Sequence, residues 1–291
     1  MSIPGRQELL ISADELAARL GERHLRIVDC RFDLLAPDAG RTGWLDAHIP
    51  GAVYADLDRD LSGPITPDTG RHPLPSVAQA QETFSRLGID ADTTVVAYDD
   101  ANGAIASRAW WLLRWLGHRH VTVLDGGLQA WRRGRNRPLE SGAREAERRE
   151  FRGLVQTQRI LTSEEIAGRL DAQRDLLLVD ARDAARYRGE AEPIDTRAGH
   201  IPGARNLPFS DCLGADGTWL GAEPLRERLS AVLGGDPAAE WGVMCGSGVT
   251  ACHLAISGLL AGYHEPRVYI GSWSEWIRDP ARPIAGQPGN R

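Results

Sequence analysis

The residue in this sequence best placed for chemistry is Cys245, because of the loop around it. It follows the short apolar segment Gly242–Met244 and precedes Gly246, Ser247 and Gly248. Glycines allow the backbone to curl so that successive N–H groups point inward, and the helix that follows adds its positive end. Both effects favour an anion. We therefore expect the loop to stabilise a thiolate or a persulfide on Cys245, which would make this cysteine a nucleophile.

Three different interpretations of the Cys245 loop are weaker. A phosphatase loop needs an arginine near its end to bind paired phosphate oxygens, and Thr250 stands there instead. A zinc site would need closer paired ligands than Cys245, Cys252 and His253 provide. We expect Cys252 and His253 to be core residues. The flanking glycines argue against a merely buried, unreactive Cys245.

The chain contains two similar copies of one sequence pattern, and the second copy carries this loop. A Ser/Thr-x-x-Glu capping signature opens the copies at Ser12 and Thr162, and a His-Ile-Pro-Gly-Ala segment follows at His48 and His200. The copies are 150 residues apart at the first motif and 152 at the second, an offset that chance matches would not maintain. We interpret the two histidine segments as structural.

Short apolar segments alternate with helical ones in both copies. The predicted strands include residues 25–28, 94–98, 121–124, 176–179, 242–244 and 268–270. This alternation predicts an α/β fold of two tandem domains, each a mostly parallel sheet flanked by helices. The mixed-charge segment between the copies is typical of a linker. The predicted units are a first domain at 1–135, a linker at 136–158 and a second domain at 159–291.

The composition is that of a folded, mildly acidic protein. The 291 residues include 34 Lys and Arg against 40 Asp and Glu, a net charge of −6, and 42% are hydrophobic. The negative charge argues against a nucleic-acid partner. No apolar run approaches the roughly 18 residues of a membrane span. Without a secretory signal at the start, and with four irregularly spaced cysteines, we expect a cytoplasmic protein with free thiols.

These features together resemble the rhodanese-like sulfurtransferases. The resemblance rests on the tandem copies, the paired His-Ile-Pro-Gly-Ala segments, Asp-Ala-Arg at 180–182 and Cys-Gly-Ser-Gly-Val-Thr-Ala-Cys at 245–252. It covers nearly the whole chain and is strongest for the branch that uses 3-mercaptopyruvate. It implies two rhodanese-like domains, of which the first, with Asp99 and Asp100 at the matching loop, is catalytically silent.

The resemblance also implies a reaction and the residues that perform it. Cys245 takes the sulfur of 3-mercaptopyruvate, pyruvate leaves as an enolate, and an acceptor then removes sulfur from the persulfide. The enolate needs a proton. Ser247 is therefore expected to work with His72 and Asp58 of the first domain, in a relay with the logic of a serine triad.

For the donor's carboxylate and carbonyl, the resemblance implies arginines, whose planar fork binds oxygen atoms in pairs. Arg186 matches the family's substrate arginine. The family's second arginine usually follows a Glu-Pro pair, but Ile194 stands there, so Arg197 is the expected replacement. The loop residues expected to contact the donor are Gly246, Gly248, Val249 and Thr250.

The expected partners are a small sulfur donor and an acceptor, which is a thiol such as thioredoxin or glutathione, or cyanide. Covalent transfer through cysteine requires no cofactor, and no metal is expected. A thiosulfate:cyanide sulfurtransferase is the competing enzyme, although Gly246 and Ser247 supply no positive charge for a doubly charged donor. A non-enzymatic persulfide carrier, or a binding module with an unreactive loop, would also fit the sequence.

Overall fold

Each half of the chain folds around one five-stranded parallel sheet. The structure is a computed structural model that describes residues 3–134, 137–173 and 177–286. The strands of the first half are β1 (Leu10–Ile11), β2 (Leu25–Asp29), β3 (Val53–Tyr54), β4 (Thr94–Tyr98) and β5 (Val121–Leu124). Those of the second half are β6 (Ile160–Leu161), β7 (Leu178–Asp180), β8 (Arg205–Asn206), β9 (Gly242–Met244) and β10 (Arg267–Tyr269). The orders β1-β5-β4-β2-β3 and β6-β10-β9-β7-β8 are equivalent, so the halves share one topology.

Helices flank both sheets, which confirms the predicted α/β fold class. Those of the first half are α1 (Ala13–Ala18), α2 (Ala39–Asp46), α3 (Val77–Arg86), α4 (Ala106–Trp115) and α5 (Gly127–Arg133). Those of the second half are α6 (Ser163–Asp171), α7 (Ala184–Arg188), α8 (Ala222–Leu233), α9 (Thr250–Leu260) and α10 (Ser272–Trp276). Among the described residues, no helix combines the length and the apolar character needed to cross a bilayer.

Local signals explain where α1 and α6 begin. The Oγ of Ser12 accepts a hydrogen bond from the N–H of Glu15 at 3.2 Å, and the Glu15 carboxylate accepts one from the N–H of Ser12 at 2.9 Å. Thr162 and Glu165 repeat this exchange at 3.3 and 3.0 Å. Each of these reciprocal pairs of hydrogen bonds, known as a capping box, satisfies N–H groups that the start of a helix leaves unpaired. The two capping signatures in the sequence therefore mark equivalent helices.

The strand predictions agree closely with the structure. Three strands have the predicted bounds, at 94–98, 121–124 and 242–244. The strand predicted at 268–270 lies one residue earlier, at Arg267–Tyr269. The strand predicted at 176–179 is observed at Leu178–Asp180, and residue 176 lies outside the described residues.

The predicted linker, residues 136–158, packs against the first half instead of lying free in solvent. The predicted boundary itself, at residues 135 and 136, lies outside the described residues. As the mixed charges indicate, the segment has little regular structure. Its Phe151 is nevertheless buried against Phe84, with ring centres 5.3 Å apart, and the N–H of Phe151 donates to Ser85. Phe151, together with Ala146, thus ties the segment to the core.

One continuous core joins the two halves. Helix α4 of the first half packs on α9 of the second, and residues of both halves belong to the same buried apolar cluster. Trp110 and Trp111 of α4 are fully buried. Trp219 of the second half lies so close to Gly103 that a Cβ there would approach the indole ring within 2.2 Å. Packing therefore fixes the halves, and side chains from both can form one site.

Arg108 on α4 is a fully buried charge at this interface. Its guanidinium donates to the carbonyls of Leu61, His72 and Pro73 in the first half, at 3.1 to 3.2 Å. It also donates to the carbonyl of Gly248 in the second half, at 3.2 Å. The planar fork of arginine suits such a set of acceptors, because its N–H groups point in fixed directions.

We expect Arg108→Lys to lower the free energy of unfolding by about 2 to 3 kcal/mol, since each buried carbonyl left without a donor costs roughly 1 to 3 kcal/mol. Lysine keeps the charge, but one ammonium cannot reach all four carbonyls. Urea unfolding followed by tryptophan fluorescence measures the change. The exposed Arg86→Lys serves as the control, and equal stability of both variants would contradict this role for Arg108.

Candidate active site

Cys245 lies where the sequence predicts it, between the end of β9 and the start of α9. Its side chain is buried. Its N–H donates to the Oγ of Ser272 at 3.0 Å, and its carbonyl accepts from the N–H of Trp273 at 3.0 Å. The carbonyl of Gly246 accepts from the N–H of Ser274 at 2.9 Å. These bonds anchor the loop on α10, at the carboxyl edge of the sheet where ligands of parallel α/β sheets bind.

The two glycines of the loop are needed for different reasons. Gly248 has a φ of +75°, and a Cβ there would lie 2.2 Å from the carbonyl oxygen of Ile270. No larger residue fits that position. At Gly246, a Cβ would lie 2.9 Å from Nη2 of Arg71 and 3.5 Å from Nη1 of Arg186. Gly246 therefore leaves room for two guanidinium groups.

Three predicted catalytic residues meet across the interface between the halves. The Oγ of Ser247 lies 2.7 Å from Nδ1 of His72, and Nε2 of His72 lies 3.3 Å from Oδ1 of Asp58. Ser247 and His72 are buried, whereas the side chain of Asp58 is 45% exposed. Burial raises the pKa of Asp58, and the neighbouring Asp56 adds to the rise. The three side chains form a row that leads from the loop to the surface, with a hydrogen bond between Ser247 and His72 and with Asp58 beside the other ring nitrogen.

His72 is held in its neutral form. Burial lowers its pKa to about 3, and the guanidinium groups of Arg108 and Arg71 act in the same direction. A neutral imidazole has one N–H, and an ionised carboxylate can only accept. With the ring proton on Nε2, which faces Asp58, Nδ1 of His72 accepts the hydroxyl proton of Ser247. In this arrangement His72 can act as a base toward Ser247.

Arg108 brings a positive charge close to the cysteine loop. Burial lowers the pKa of Arg108, whereas Cys252 and Cys245 oppose that effect. Arg108 therefore places a positive charge close enough to both thiols to interact with them electrostatically. Cys252 is a core thiol, as predicted, because burial raises its pKa to about 12 and its Sγ–H donates to the carbonyl of Gly248. His253 is also fully buried, as predicted.

Two arginines from different halves stand at the site. Arg186 lies on α7, and its guanidinium donates to Glu192 at 2.7 Å and to Asp195 at 3.0 Å. Arg71, from the first half, pairs with the same Asp195. The sequence points to Arg186 but not to Arg71, although Arg71 directly precedes His72.

A cavity of about 300 Å³ opens beside Cys245 and is lined by both halves. The second half contributes, among others, Arg182, Arg186, Gly246, Ser247, Val249 and Thr250. The first half contributes, among others, Phe32, Leu57, Arg71 and His72. The loop, His72 and Ser247 of the relay, and the two arginines therefore face one space, large enough for a small organic anion.

Arg197 and Gly248, both predicted to contact the donor, do not line this cavity. The carboxylate of Glu192 accepts hydrogen bonds from the N–H groups of Ile194 and Asp195, at 3.1 and 3.0 Å. The resulting turn directs Asp195 toward the arginines. The main-chain carbonyl of Arg197 accepts from the indole of Trp273. The structure thus places Arg71 beside the cysteine loop, whereas Arg197 does not line the cavity.

In the first half, Asp99 occupies the place of Cys245. It follows β4 as Cys245 follows β9, and the two strands are equivalent in the two sheets. Its carboxylate accepts four main-chain hydrogen bonds of 2.7 to 2.8 Å, from the N–H groups of Ala101, Gly103, Ile105 and Ala106. The first half therefore has a backbone cradle for an anion, and a side chain of the same loop fills it.

Sequence reasoning missed Arg71 and Arg108, both from the first half. A signal for Arg108 exists, because a charged residue interrupts the apolar stretch that runs through Trp110 and Trp111. Arg71 has no comparable local signal. Only the folded contact between the halves shows that it reaches Cys245.

Comparison with known proteins agrees with this architecture. A Pseudomonas aeruginosa protein described as a probable 3-mercaptopyruvate sulfurtransferase is 48% identical over 278 residues, which are 95% of this chain and 97% of that protein. A Mus musculus thiosulfate sulfurtransferase is 35% identical over 269 residues, 90% of this chain and 88% of that protein. The crystal structure of SseA from Escherichia coli, one of the 3-mercaptopyruvate sulfotransferases, matches at a TM-score of 0.79 and 30% identity, covering 91% of this chain and 99% of that one.

The profile of the rhodanese-like domain matches this sequence twice. The matched residues are 12–133 and 162–279, one range in each half. Each range contains most of one parallel sheet with the helices that flank it. The chain therefore belongs to the rhodanese-like family, with one domain of that family in each half.

Proposed function

We propose that this protein is a sulfurtransferase that moves sulfur from 3-mercaptopyruvate to a thiol or cyanide through a persulfide on Cys245. The observation that supports this most directly is the row of Ser247, His72 and Asp58 beside Cys245, in which Ser247 is hydrogen-bonded to His72 and Asp58 lies 3.3 Å from the other ring nitrogen. A proton relay is needed when the leaving group is a carbanion. It has no task when the leaving group is sulfite. Relatives named 3-mercaptopyruvate sulfurtransferases support the same choice.

In the first step, the thiolate of Cys245 attacks the sulfur of the donor. An S–S bond forms and the donor's C–S bond breaks, and its electron pair leaves on the methylene carbon as the enolate of pyruvate. The positive charge of Arg108 favours the sulfur anion. Arg186 binds the carboxylate end of the donor, because its fork matches paired oxygens.

The relay moves the donor's thiol proton to the enolate. Neutral His72 accepts the hydroxyl proton of Ser247 while the Oγ of Ser247 takes the proton of the donor's thiol. Asp58 stabilises the imidazolium that forms. The proton then returns through Ser247 to the methylene carbon, which yields pyruvate and a persulfide anion on Cys245. The proton that the methylene carbon gains is the one that the donor's thiol loses, so the step needs no cofactor.

In the second step, an acceptor attacks the outer sulfur of the persulfide. The S–S bond breaks, the outer sulfur leaves with the acceptor, and the thiolate of Cys245 is restored. Glutathione, thioredoxin and cyanide all have a nucleophile suited to this attack. Because the donor's product leaves before the acceptor reacts, the kinetics are ping-pong.

We also propose a cytoplasmic location. The four cysteines, at 30, 212, 245 and 252, are all free thiols. Free thiols persist where glutathione and thioredoxin keep proteins reduced. The proposed chemistry depends on this state, since a thiolate is the nucleophile.

Thiosulfate sulfurtransferase activity is the alternative, and a relative named for that activity supports it. The guanidinium groups of Arg71 and Arg186 could bind a sulfonate as well as a carboxylate. The relay favours 3-mercaptopyruvate, because release of sulfite requires no proton on carbon. A non-enzymatic persulfide carrier needs only a reactive Cys245 and would not turn over.

We expect steady-state release of pyruvate from 3-mercaptopyruvate over many turnovers, with kcat/KM at least about tenfold above that for thiosulfate. Cys245→Ser should abolish both activities, because serine cannot form a persulfide. Pyruvate release is assayed in parallel with thiocyanate formation from thiosulfate and cyanide. Dominant thiosulfate activity would establish the alternative, and release of a single pyruvate per protein molecule would identify a carrier.

We expect His72→Ala to lower kcat for 3-mercaptopyruvate by roughly 10² to 10⁴, the usual contribution of general acid–base catalysis. Thiosulfate activity should stay within about threefold of the wild type, because sulfite leaves without a proton. Ser247→Ala should show the same split, since the hydroxyl connects His72 to the donor. The exposed His24→Ala serves as the control. Equal loss of both activities in His72→Ala would contradict a role of His72 in the relay.

We expect the imidazole of His72 to remain neutral throughout the neutral and mildly acidic range. Its folded pKa of about 3 lies below the ordinary 6.5. The unfolded chain therefore binds the proton first, and stability that is present above about pH 6.5 is lost as the pH falls toward 3. Histidine NMR resonances followed from about pH 8 to 5.5, assigned with His72→Gln, test this. A midpoint of His72 near 6.5 would contradict it.

A further inference from the structure

Another cavity lies at the end of the interface between the halves that is remote from Cys245. This arginine cavity has a volume of about 420 Å³ and is lined by, among others, Arg114 and Arg119 of the first half and Arg159, Leu259 and Glu265 of the second. On α9, Thr250 lines the cavity beside Cys245, and Leu259 lines the arginine cavity about 14 Å further along the helix. Among the described residues, none lines both cavities.

Positive charge is in excess in the arginine cavity. Among the described residues that line it, three guanidinium groups stand against two carboxylates, those of Glu8 and Glu265. The carboxylate of Glu265 accepts a hydrogen bond from Nη2 of Arg114 at 3.1 Å and also pairs with Nη1 of Arg159. The side chains of Arg114 and Arg159 are each 11% exposed, so water does little to screen their charges. An anion in the cavity would balance the charge that remains.

Arg159 is the cation that most needs such an anion. Its Nε is buried and has no hydrogen-bond acceptor in the described part of the chain. Burial, together with the charges of Arg114 and Arg119, lowers the pKa of Arg159 to about 10. The group is therefore still a cation at neutral pH, but an unfavourably placed one. A bound anion would give Nε an acceptor and would oppose the repulsion among the guanidinium groups.

The end of α4 does not supply this negative charge. The last carbonyls of a helix carry partial negative charge, and α4 ends beside the cavity. Here, however, the carbonyls of Trp115 and Leu116 accept hydrogen bonds from the N–H groups of Gln156 and Leu154, at 2.7 and 2.9 Å. The segment between the halves thus satisfies the end of the helix, and the guanidinium groups keep their excess charge.

We propose that the arginine cavity binds a phosphate or sulfate group, and that Arg114 and Arg159 hold this group between the two halves. The planar fork of arginine matches the paired oxygens of such a group. The volume and the apolar Leu259 leave room for a small organic body attached to it. This inference does not depend on the proposed sulfur transfer at Cys245.

Binding at this place stabilises the contact between the halves. Arg108 joins them near Cys245, and the anion would join them at the other end of the same interface. Because the site exists only when both halves are folded and packed together, the anion favours the native protein by mass action.

The first test measures thermal unfolding midpoints in inorganic phosphate, with sodium chloride at equal ionic strength as the reference. The midpoint should rise with phosphate concentration. Arg159→Gln should raise the Kd for phosphate at least about tenfold, and Arg159→Lys, which keeps the charge but not the fork, should lie in between. Arg149→Gln is the matched control, because Arg149 also pairs with a carboxylate, is 22% exposed and lies outside the cavity.

The second test separates this site from the cavity beside Cys245, where Arg186 could also bind phosphate. Calorimetry in an Arg186→Gln background should still show one phosphate site, and the added Arg159→Gln should raise its Kd at least about tenfold. Loss of phosphate binding in Arg186→Gln, with unchanged binding in Arg159→Gln, would place the anion beside Cys245 and overturn the proposal. Arg159→Lys provides the answer if Arg159→Gln does not fold.

The third test distinguishes a free anion from a phosphate group on an organic molecule. Inorganic phosphate, sulfate and glycerol phosphate are compared in the Arg186→Gln background. Tighter binding of glycerol phosphate, with the same dependence on Arg159, would identify an organic phosphate as the ligand. Equal or weaker binding of this ester would identify the free anion. If none of the three binds more tightly than chloride, the proposal is wrong.

Discussion

A single buried cation, Arg108, holds the two halves in the register on which the site depends. Its guanidinium binds the carbonyls of His72 and Pro73 from one half and of Gly248 from the other. Withdrawing a charge from water is costly unless its hydrogen bonds are satisfied, so these carbonyls confine the arginine to one position. Because His72 and Gly248 are bound to the same rigid group, Ser247 stays within 2.7 Å of the imidazole. Without this shared group, every movement of one half relative to the other would change the distance between Ser247 and His72.

The electrostatics of the site separate two tasks. The relay is uncharged at its centre, since His72 is neutral and can both accept and return a proton. The positive charge lies around the cysteine loop, with Arg108 at the interface and Arg71 against Gly246. These charges oppose protonation of His72 and so help to keep the base neutral.

The parts of this structure that could be predicted from the sequence are those set by local signals. The capping box at Thr162, the bounds of β4 and the strand–cysteine–glycine order at Cys245 depend on neighbouring residues, and the structure agrees with each. The relay is expected through a family resemblance, and its side chains do meet. The position of Arg71 beside the loop could not be predicted, because its contact with Gly246 joins residues of different halves. That contact is a property of the packed interface.

The loop of Asp99 shows how two copies of one fold can differ so completely in reactivity. A carboxylate tethered to its own cradle acts at an effective concentration that no dissolved anion can match. The cradle of the first half is therefore saturated at every donor concentration, and it cannot draw donor molecules away from Cys245. The backbone of the Asp99 loop keeps the shape of an anion site. The surface of the first half is available to supply His72, Asp58 and Arg71 to the second half. The two copies in this duplicated chain therefore differ in whether the loop after the equivalent strand holds a carboxylate fixed in its own cradle or a cysteine beside a cavity.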